Sequence, residues 1–353
     1  MEDKNKKKVL IIKLSSLGDV IFSVPLANVL KKNGYEVSWL VSEKGIDIVQ
    51  GNRCVDKVFL APFEKWKKSK NIFQNLVEIF NLIKELRKEN YDIAIDAQMR
   101  IKSLPFLKFC GAKRRIIAKD CKEFSWLGAN EFIQHLKEGF DCHVVISYLK
   151  FAEYLGCEFS NEDIFATLPN RSEETKNEVD LLLANVDRNK PLIMIAPATT
   201  WIGKHWDKDN WRELVRLLEK DFSLIFSGTN KDKELIDYIN TNNHLSLAGK
   251  TSLNSLIEVL SRIDLLVSLD SGSTHLAWAA QTPKIVSIFC CTPKSLYAPF
   301  GEPDKYISIQ SNNCSPCHHK KCTNKENAYI CTQKPSVNEV YDAIKKLTER
   351  EYI

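Results

Sequence analysis

The sequence has neither a long uninterrupted apolar segment nor a strong excess of one charge. Its 353 residues contain 50 Lys and Arg against 45 Asp and Glu, a net charge of +5, which is too small an excess to indicate a nucleic-acid-binding protein. No stretch approaches the roughly 18 consecutive apolar residues typical of a membrane span. The first apolar run is interrupted by Lys13, which is not typical of a secretory signal peptide. We therefore expect a cytoplasmic globular protein.

The glycine fingerprint of dinucleotide-binding enzymes is also missing. No Gly-x-Gly-x-x-Gly follows any predicted strand, which argues against an oxidoreductase of the usual nicotinamide type. Internal repeats of 20–50 residues are not seen. The chain has 11 cysteines, but it is too long for a secreted disulfide scaffold. Seven of these cysteines are scattered, and the other four crowd into residues 314–331.

Short apolar runs alternate with helical patterns along both halves of the chain. The predicted strands of the first half are Val9–Leu14, Val37–Val41, Lys57–Leu60, Tyr91–Asp96 and Arg115–Ile117. Those of the second half are Pro191–Ala196, Ser223–Phe226, Leu245–Leu247, Asp264–Leu269 and Ile285–Phe289. Such alternation predicts parallel sheets with right-handed crossovers. We predict an α/β fold of two doubly wound, Rossmann-like domains, joined by a linker within residues 158–171, that bind ligands where the strands end.

The first candidate loop, Lys13–Asp19, follows the first predicted strand. Gly18 permits close approach of a ligand to the backbone, and Asp19 lies at the start of a helix. An Asp at this position is commonly a helix cap, so capping is the alternative to a catalytic role.

The second candidate loop, Ala196–Thr200, is followed by Lys204 and Trp206. Hydroxyl groups and a lysine between a strand and a helix suit a diphosphate, because free N–H groups and the helix dipole add positive potential. The alternatives are a solvated side chain for Lys204 and a place in the core for Trp206.

The third candidate loop, Ser268–His275, carries a strand into a glycine-containing turn and a helix. Consecutive backbone N–H groups in such a turn form an anion-binding nest. His275 falls in the first helical turn, where it can reach an anion or serve as a structural residue.

The clustered cysteines are Cys314, Cys317, Cys322 and Cys331. Four thiols so close in sequence fit a tetrahedral zinc or iron site, which would be structural because four protein ligands leave no open position. Reduced free thiols or reversible disulfides are the alternative. A zinc-containing nucleic-acid-binding protein is a remote functional alternative, weakened because Tyr329 is the segment's only aromatic residue for stacking on bases.

Taken in order and spacing, these motifs resemble glycosyltransferase family 9, the ADP-heptose:lipopolysaccharide heptosyltransferases. The similar motifs are Lys13–Asp19, Trp66–Lys68, Asp96–Gln98 with Lys102, Ala198–Thr200 with Lys204–Trp206, and Asp270–His275. The similarity covers nearly the whole chain and is greatest to the branch that attaches the first heptose to Kdo, heptosyltransferase I.

The resemblance implies the GT-B fold, in which two Rossmann-like domains face each other across a cleft. It implies an acceptor-binding domain at residues 1–165 and a nucleotide-sugar-binding domain at residues 175–335 that includes the cysteine cluster. It also implies a C-terminal helix, within residues 336–353, that crosses back to pack on the first domain.

The implied reaction is inverting transfer of L-glycero-D-manno-heptose from ADP-heptose to Kdo of the lipopolysaccharide inner core. Asp19 matches the general base, and Lys204 matches the lysine that steadies the diphosphate. The implied donor-binding residues are Gly18, Thr199, Thr200, Asp232, Asp270, Ser271, Gly272 and His275, with Glu234 as the second candidate for the ribose-binding role of Asp232. The implied acceptor-binding residues are Lys67, Lys68, Gln98 and Lys102. No cofactor is required for catalysis.

The implied partners are ADP-heptose, the anionic Kdo–lipid A acceptor and the inner leaflet of the cytoplasmic membrane, with no nucleic acid. Lys65, Lys67, Lys68 and Lys70 flank Trp66, and such a basic cluster favours an anionic surface. Two departures from the branch leave the acceptor open: Met99 stands where members often have Gly, and the cysteine cluster is typical of other branches. A later core heptose or a protein hydroxyl are the alternative acceptors.

Overall fold

The apolar runs of the sequence form two parallel sheets, one in each of two units. The computed structural model describes residues 6–134, 142–301, 303–314 and 316–349. The chain divides into the units Met1–Asn170 and Arg171–Ile353. The division falls inside the segment in which the linker is predicted.

The first unit alternates strands and helices from its first residues onward. Its elements are β1 Lys8–Ile12, α1 Leu17–Lys32, β2 Glu36–Ser42, α2 Ile46–Val49, β3 Lys57–Ala61, α3 Phe63–Lys68, α4 Ile72–Lys88, β4 Ile93–Asp96, α5 Leu104–Phe109, β5 Arg114–Ala118, β6 Glu131–Ile133 and α6 Val144–Tyr154. The six strands form one parallel sheet in the order β3-β2-β1-β4-β5-β6. Strand order therefore reverses between β1 and β4, where Ile12 pairs with Asp96.

The second unit repeats this plan. Its elements are α7 Glu173–Leu183, β7 Leu192–Ala196, α8 Lys208–Leu218, β8 Ser223–Phe226, α9 Lys233–Ile239, β9 Leu245–Ser246, α10 Leu253–Leu260, β10 Leu265–Leu269, α11 Gly272–Ala279, β11 Ile285–Phe289, α12 Lys294–Tyr297, β12 Tyr306–Gln310 and α13 Val337–Thr348. Its parallel sheet has the order β12-β11-β10-β7-β8-β9. Read from the other edge, this is the strand order of the first unit, and it reverses between β7 and β10.

Burial explains why the central strands are continuous apolar runs. Every residue of β7, β10 and β11 is buried, as expected for parallel strands covered by helices on both faces. Helix α1 packs against α6 and is buried from Val20 to Ala27, so it lacks a polar face over that span. Each unit has its own apolar core.

Two edge strands, β6 and β12, are absent from the strands predicted from the sequence. Strand β6 has only three residues, and all five residues of β12 are half-buried. Neither shows the fully apolar run that marks a buried strand, because an edge strand is covered less completely than a central one.

The last helix lies in the second unit, and its packing on the first domain, which the resemblance implies, stays a prediction. Its apolar stripe, which includes Val340, Ile344 and Leu347, is buried in the core of the second unit. The helix packs there against α8 and β11, as expected for the apolar face of an amphipathic helix. Residues 350–353 of the predicted segment lie outside the described residues.

Within the described ranges, no helix combines the length and the apolar composition needed to cross a membrane.

Candidate active site

The polar loops lie at the points where strand order reverses in each sheet. In the first unit they follow β1 and β4, and in the second they follow β7 and β10. Ligands of open α/β sheets bind in the crevice outside the strand carboxyl ends at these points. The loops selected from the sequence therefore occupy the expected binding edge of each unit.

Asp19 lies in the first turn of α1, and its side chain is 37% exposed. Its Oδ2 accepts hydrogen bonds from the Ser16 N–H at 3.1 Å and the Ser16 hydroxyl at 2.8 Å. Its Oδ1 accepts from the Tyr148 hydroxyl at 3.3 Å. The capping arrangement is thus present, but it uses only Oδ2 of Asp19. The other oxygen, Oδ1, contacts Tyr148 of helix α6. Gly18 precedes Asp19 within the same turn.

Lys13 is a buried cation beside Asp19. Its Nζ donates to the Ala97 carbonyl at 3.1 Å and to the Tyr148 hydroxyl at 2.5 Å, and it lies 3.9 Å from Asp19 Oδ1. The sequence alone indicates no specific role for Lys13 or Tyr148. A charged residue at the end of an apolar strand, such as Lys13, is unusual enough to suggest a function. No sequence pattern indicates a function for Tyr148, because its contact with Asp19 depends on how α6 packs.

Asp96 ends β4 and is fully buried. Its Oδ1 accepts from the N–H groups of Gln98 and Met99 at 2.9 Å, and its Oδ2 accepts from the Ser103 hydroxyl at 2.7 Å. Burial outweighs these hydrogen bonds and raises the pKa of Asp96 to about 6. This carboxyl group organises the loop from within.

Gln98 and Lys102 join this loop to the one after β1. Gln98 Oε1 accepts from the N–H groups of Leu14 and Ser15, both at 2.9 Å. Lys102 Nζ donates to the Ser15 hydroxyl at 2.5 Å. Burial, followed by the charges of Lys13 and Lys67, lowers the pKa of Lys102, while the charge of Asp19 opposes this. These side chains therefore share one electrostatic neighbourhood.

The cations of α3 lie at the surface. Lys67 and Lys68 are exposed, and Lys67 Nζ lies 3.3 Å from Glu64. Trp66, which precedes them, is buried and donates its indole N–H to Glu78 at 2.8 Å. The lysines are accessible to a ligand, whereas Trp66 anchors α3 to the unit.

Lys204, Asp270 and His275 meet at the strand ends of the second unit. Lys204 Nζ lies 2.7 Å from Asp270 Oδ2, and His275 Nε2 lies 3.6 Å from Asp270 Oδ1. Burial by itself raises the pKa of Asp270, but the hydrogen bond of His275 and the charge of Lys204 together lower it well below the usual range. Lys204 also lies over the Trp201 ring, 4.8 Å from its centroid. Lys204 is thus a cation held beside a buried carboxylate.

Helix α11 begins beside this cluster. Ser271 is its N-cap and Gly272 its first residue. The Ser271 hydroxyl is buried with no hydrogen-bond partner among the described residues, so it has a donor to offer a ligand. The Thr199 hydroxyl donates to the Asp270 carbonyl at 3.0 Å, and Thr200 is exposed beside it. A helix N-terminus with such donors suits an anion.

Asp232 follows β8, in the strand-end loop next to that of β7. Its Oδ2 accepts from the Thr229 N–H and hydroxyl, both at 2.7 Å, so it caps the turn Asn230–Asp232. Gly228 precedes this turn, where a Cβ atom would lie only 2.9 Å from Ile236. Glu234 is exposed. Asp232 therefore has a local structural role, and its predicted contact with ribose stays a prediction.

Trp206 is a core residue. It is buried and packs edge-on against Trp211 with ring centroids 5.0 Å apart.

The four clustered cysteines line one pocket together with Cys291 and His319, and its volume is about 20 Å³. None of these four cysteines forms a disulfide; Cys314 is exposed and Cys331 is buried. Burial, followed by the neighbouring thiol groups, raises the pKa of Cys331 to about 11. Among the residues with described positions, no three metal-ligating side chains are arranged to hold an ion. The four thiols lie around this one pocket.

Several solved structures with the same architecture are glycosyltransferases. A family 9 glycosyl transferase from Veillonella parvula matches with a TM-score of 0.80 at 18% identity, covering 98% of both chains. The E. coli heptosyltransferase WaaC with ADP matches with a TM-score of 0.72 at 22% identity, covering 96% of this chain and 99% of that one. The predicted α/β class of two Rossmann-like domains is confirmed.

The chain belongs to glycosyltransferase family 9 (heptosyltransferase), whose family model matches residues 79–328. Lipopolysaccharide heptosyltransferase 1 of Campylobacter coli is 28% identical over 305 residues, which are 81% of this chain and 84% of the relative. The predicted family is therefore confirmed, and the protein is an enzyme of the glycosyltransferase type.

Proposed function

We propose that this enzyme transfers L-glycero-D-manno-heptose from ADP-heptose to Kdo of the lipopolysaccharide inner core, with inversion at the anomeric carbon. The observation that carries the proposal is the partly exposed carboxylate of Asp19 at the switch point of the first sheet. The family description and the similarity to heptosyltransferase 1 of Campylobacter coli support the donor and the lipopolysaccharide acceptor.

The first unit supplies the base. Attack of an acceptor hydroxyl on the anomeric carbon of the donor requires a group that takes the hydroxyl proton. Asp19 Oδ1 is the candidate acceptor for this proton, and the Tyr148 hydroxyl, which donates to it at 3.3 Å, orients the carboxylate. Lys67, Lys68 and Lys102 would bind the acidic groups of the acceptor, and Gln98 would hold the loop that carries the base.

The second unit supplies stabilisation of the leaving group. ADP departs as an anion, so it needs positive potential at the diphosphate more than it needs a proton. Lys204, the Ser271 hydroxyl and the N-terminus of α11 would bind the diphosphate, with Thr199, Thr200, Gly272 and His275 around it. Asp270 would hold Lys204 and His275 in position through its ion pairs, and Asp232 would bind the ribose.

The test is ADP release by the purified full-length protein with ADP-heptose and Kdo2-lipid A. Acceptor-dependent turnover supports the proposal. The enzyme could instead bind the donor but show no turnover on this acceptor. Turnover on a core that already carries the first heptose, or on a protein hydroxyl, would then assign that alternative acceptor. No binding of ADP-heptose would contradict the proposal at its centre.

The cysteine pocket is proposed as a structural zinc or iron site. Its donor set is four soft thiols, which suit these metals, and they surround a single small pocket. Metal analysis of the anaerobically purified protein should find about one equivalent, lost in Cys317→Ser and kept in the scattered-cysteine control Cys157→Ser. Unchanged turnover after the metal is removed from the folded enzyme would agree with a structural role.

The location proposed with this function is the inner face of the cytoplasmic membrane, where a lipid-borne acceptor would be met. The exposed lysines of α3 support it by charge.

A further inference from the structure

Helix α4 exposes an apolar stripe that no described part of the chain covers. Its exposed members are Ile72, Phe73, Leu76, Val77 and Phe80. Phe73 is 77% exposed and Ile72 is 72% exposed. Their spacing of three to four residues places them on one side of the first two to three turns of the helix. A contiguous exposed patch of this kind marks an interaction surface.

The other side of α4 fixes the orientation of the stripe. Leu82, Ile83 and Leu86 are buried in the core of the first unit. In the first half of the helix, the Asn75 amide donates to the Trp66 carbonyl at 3.0 Å. Glu78 accepts from Lys65 at 2.6 Å and from Trp66 at 2.8 Å. The exposed residues therefore lie on a helix whose first half is hydrogen-bonded to α3 and whose second half is packed in the core of the first unit.

The charges around the stripe indicate which kind of partner binds this surface. The segment from Phe63 to Lys88 contains seven basic and three acidic residues. Within Ile72–Phe80 the one acidic residue is Glu78, and it is already paired with Lys65 on another face. An apolar stripe flanked by cations suits an anionic lipid surface. A symmetric contact between two copies through this face would instead bring the two basic clusters together.

The stripe also borders the acceptor half of the site. Its helix is bonded to α3 through Trp66, and the Trp66 ring stacks on Phe106 of α5 with centroids 6.5 Å apart. Lys67 of α3 is close enough to Lys102 to lower its pKa. A bilayer that contacts α4 would therefore lie beside the residues proposed to bind the acceptor.

We propose that the exposed stripe of α4 docks on an anionic lipid bilayer, with its apolar side chains at the headgroup–acyl boundary and the lysines of α3 against the headgroups. The inference rests on the proposed function, because a lipid-borne acceptor has to be presented at such a surface. It names the part of the enzyme that makes the contact.

The test is flotation of the full-length protein with vesicles of phosphatidylethanolamine and phosphatidylglycerol, compared with vesicles of phosphatidylcholine alone. The wild type should float with the anionic vesicles. The double variant Phe73→Ser with Phe80→Ser should bind them about tenfold or more weakly, since two exposed aromatic anchors are lost. The matched control is Leu181→Ser on α7, where an apolar side chain is 79% exposed far along the sequence, and its binding should equal that of the wild type.

A second measurement separates docking from chemistry. Turnover on a Kdo acceptor without acyl chains should be within twofold of wild type in the double variant, because the stripe does not touch the catalytic groups. If wild type and double variant turn over no Kdo acceptor but differ in vesicle binding, the proposed function fails while docking stands.

Three outcomes would overturn the inference. The first is equal vesicle binding by the wild type and the double variant. The second is absence of wild-type binding to anionic vesicles. The third is a concentration-dependent dimer, seen by light scattering, that the double variant abolishes while vesicle binding is unchanged, since the face would then join two copies of the chain.

Discussion

The two units share one strand order, yet they place their key carboxylates in opposite environments. The Asp19 side chain, after β1 of the first unit, is 37% exposed, whereas that of Asp270, after β10 of the second, is 3% exposed. Asp19 receives a tyrosine hydroxyl at 3.3 Å, and Asp270 is paired with Lys204 at 2.7 Å. The fold thus sets where a ligand binds, and burial and pairing set what each carboxylate can do there.

The difference assigns the two proposed roles. Although burial opposes it, the combined effect of His275 and Lys204 lowers the pKa of Asp270 well below its usual range, which favours the carboxylate anion and makes Asp270 a poor proton acceptor. Its fixed charge instead holds the cations that would face the diphosphate. Asp19 is partly open to solvent, as its proposed role as the base requires.

The most severe test of this division is Asp19→Asn. The amide keeps the size of the side chain but cannot take a proton, so kcat should fall by about 10²–10⁴-fold, the usual contribution of general base catalysis. The matched control is Asp163→Asn, because Asp163 accepts from the Ser160 N–H and hydroxyl in the same capping arrangement. Steady-state ADP release measures both, and a similar loss in the two variants would attribute the effect to capping.

The second unit is tested by Lys204→Met. The substitution removes the charge while keeping most of the length, and kcat/KM for ADP-heptose should fall about 10²-fold, as expected when one electrostatic stabiliser of a leaving group is lost. Lys208→Met, at the exposed start of α8, should leave it unchanged. Activity of Lys204→Met within threefold of the wild type would contradict the role of this cation.

A third carboxylate, Asp96, sharpens the comparison because it is buried without a cation in hydrogen-bonding contact. Its pKa in the folded protein is about 6, against about 3.9 in an unfolded chain. The folded state therefore holds the proton of Asp96 more tightly than the unfolded chain does. The contribution of this group to the free energy of unfolding is fully present below about pH 4 and is lost as the pH rises through about 6.

Asp96→Asn should remove this decline. Between pH 4 and pH 7 the free energy of unfolding of the wild type should fall by about 3 kcal/mol relative to that of the variant, an order-of-magnitude value from the shift in pKa. Urea unfolding at several pH values measures it. Asp92→Asn is the control, and its effect on the pH dependence of stability should have the opposite sign, because the Lys8 N–H lowers the pKa of Asp92. Parallel pH profiles of the free energy of unfolding for wild type and Asp96→Asn would refute the account of Asp96.

The smallest effect is expected at the surface lysines of α3. Reversing Lys67 and Lys68 to Glu should raise the acceptor KM about tenfold at low salt and less at high salt, because exposed charges are screened. The paired variant Lys345→Glu with Lys346→Glu changes the net charge equally in the second unit and should leave the acceptor KM unchanged. An unaltered acceptor KM in the Lys67 and Lys68 variant would remove these residues from the acceptor site.

Local patterns were sufficient to predict the central strands and the loops that follow them. The runs at β1 and β7 are continuous and apolar, and the loops that follow such runs carry Asp19, Lys204 and Asp270. The contacts that define their chemistry were not predictable in this way. Lys13 meets Tyr148 across 135 residues, and no periodicity indicates which distant helix will supply a partner.

The helices show the same limit. The apolar residues of α4 fit the pattern of a buried helix face, yet Phe73 and Phe80 are exposed, because the sequence indicates an apolar face without saying what covers it. The helix α13 was correctly predicted as an element, but its apolar face packs in the second unit. Assigning a face to its neighbour requires the tertiary arrangement.

The most direct test of the division between the units is calorimetric binding of ADP, which needs no turnover. Asp19→Asn should bind ADP with a Kd within twofold of the wild type, while Lys204→Met should bind it about tenfold or more weakly. This result would place donor binding in the second unit and leave the base in the first. Equal weakening of ADP binding in both variants would contradict the account.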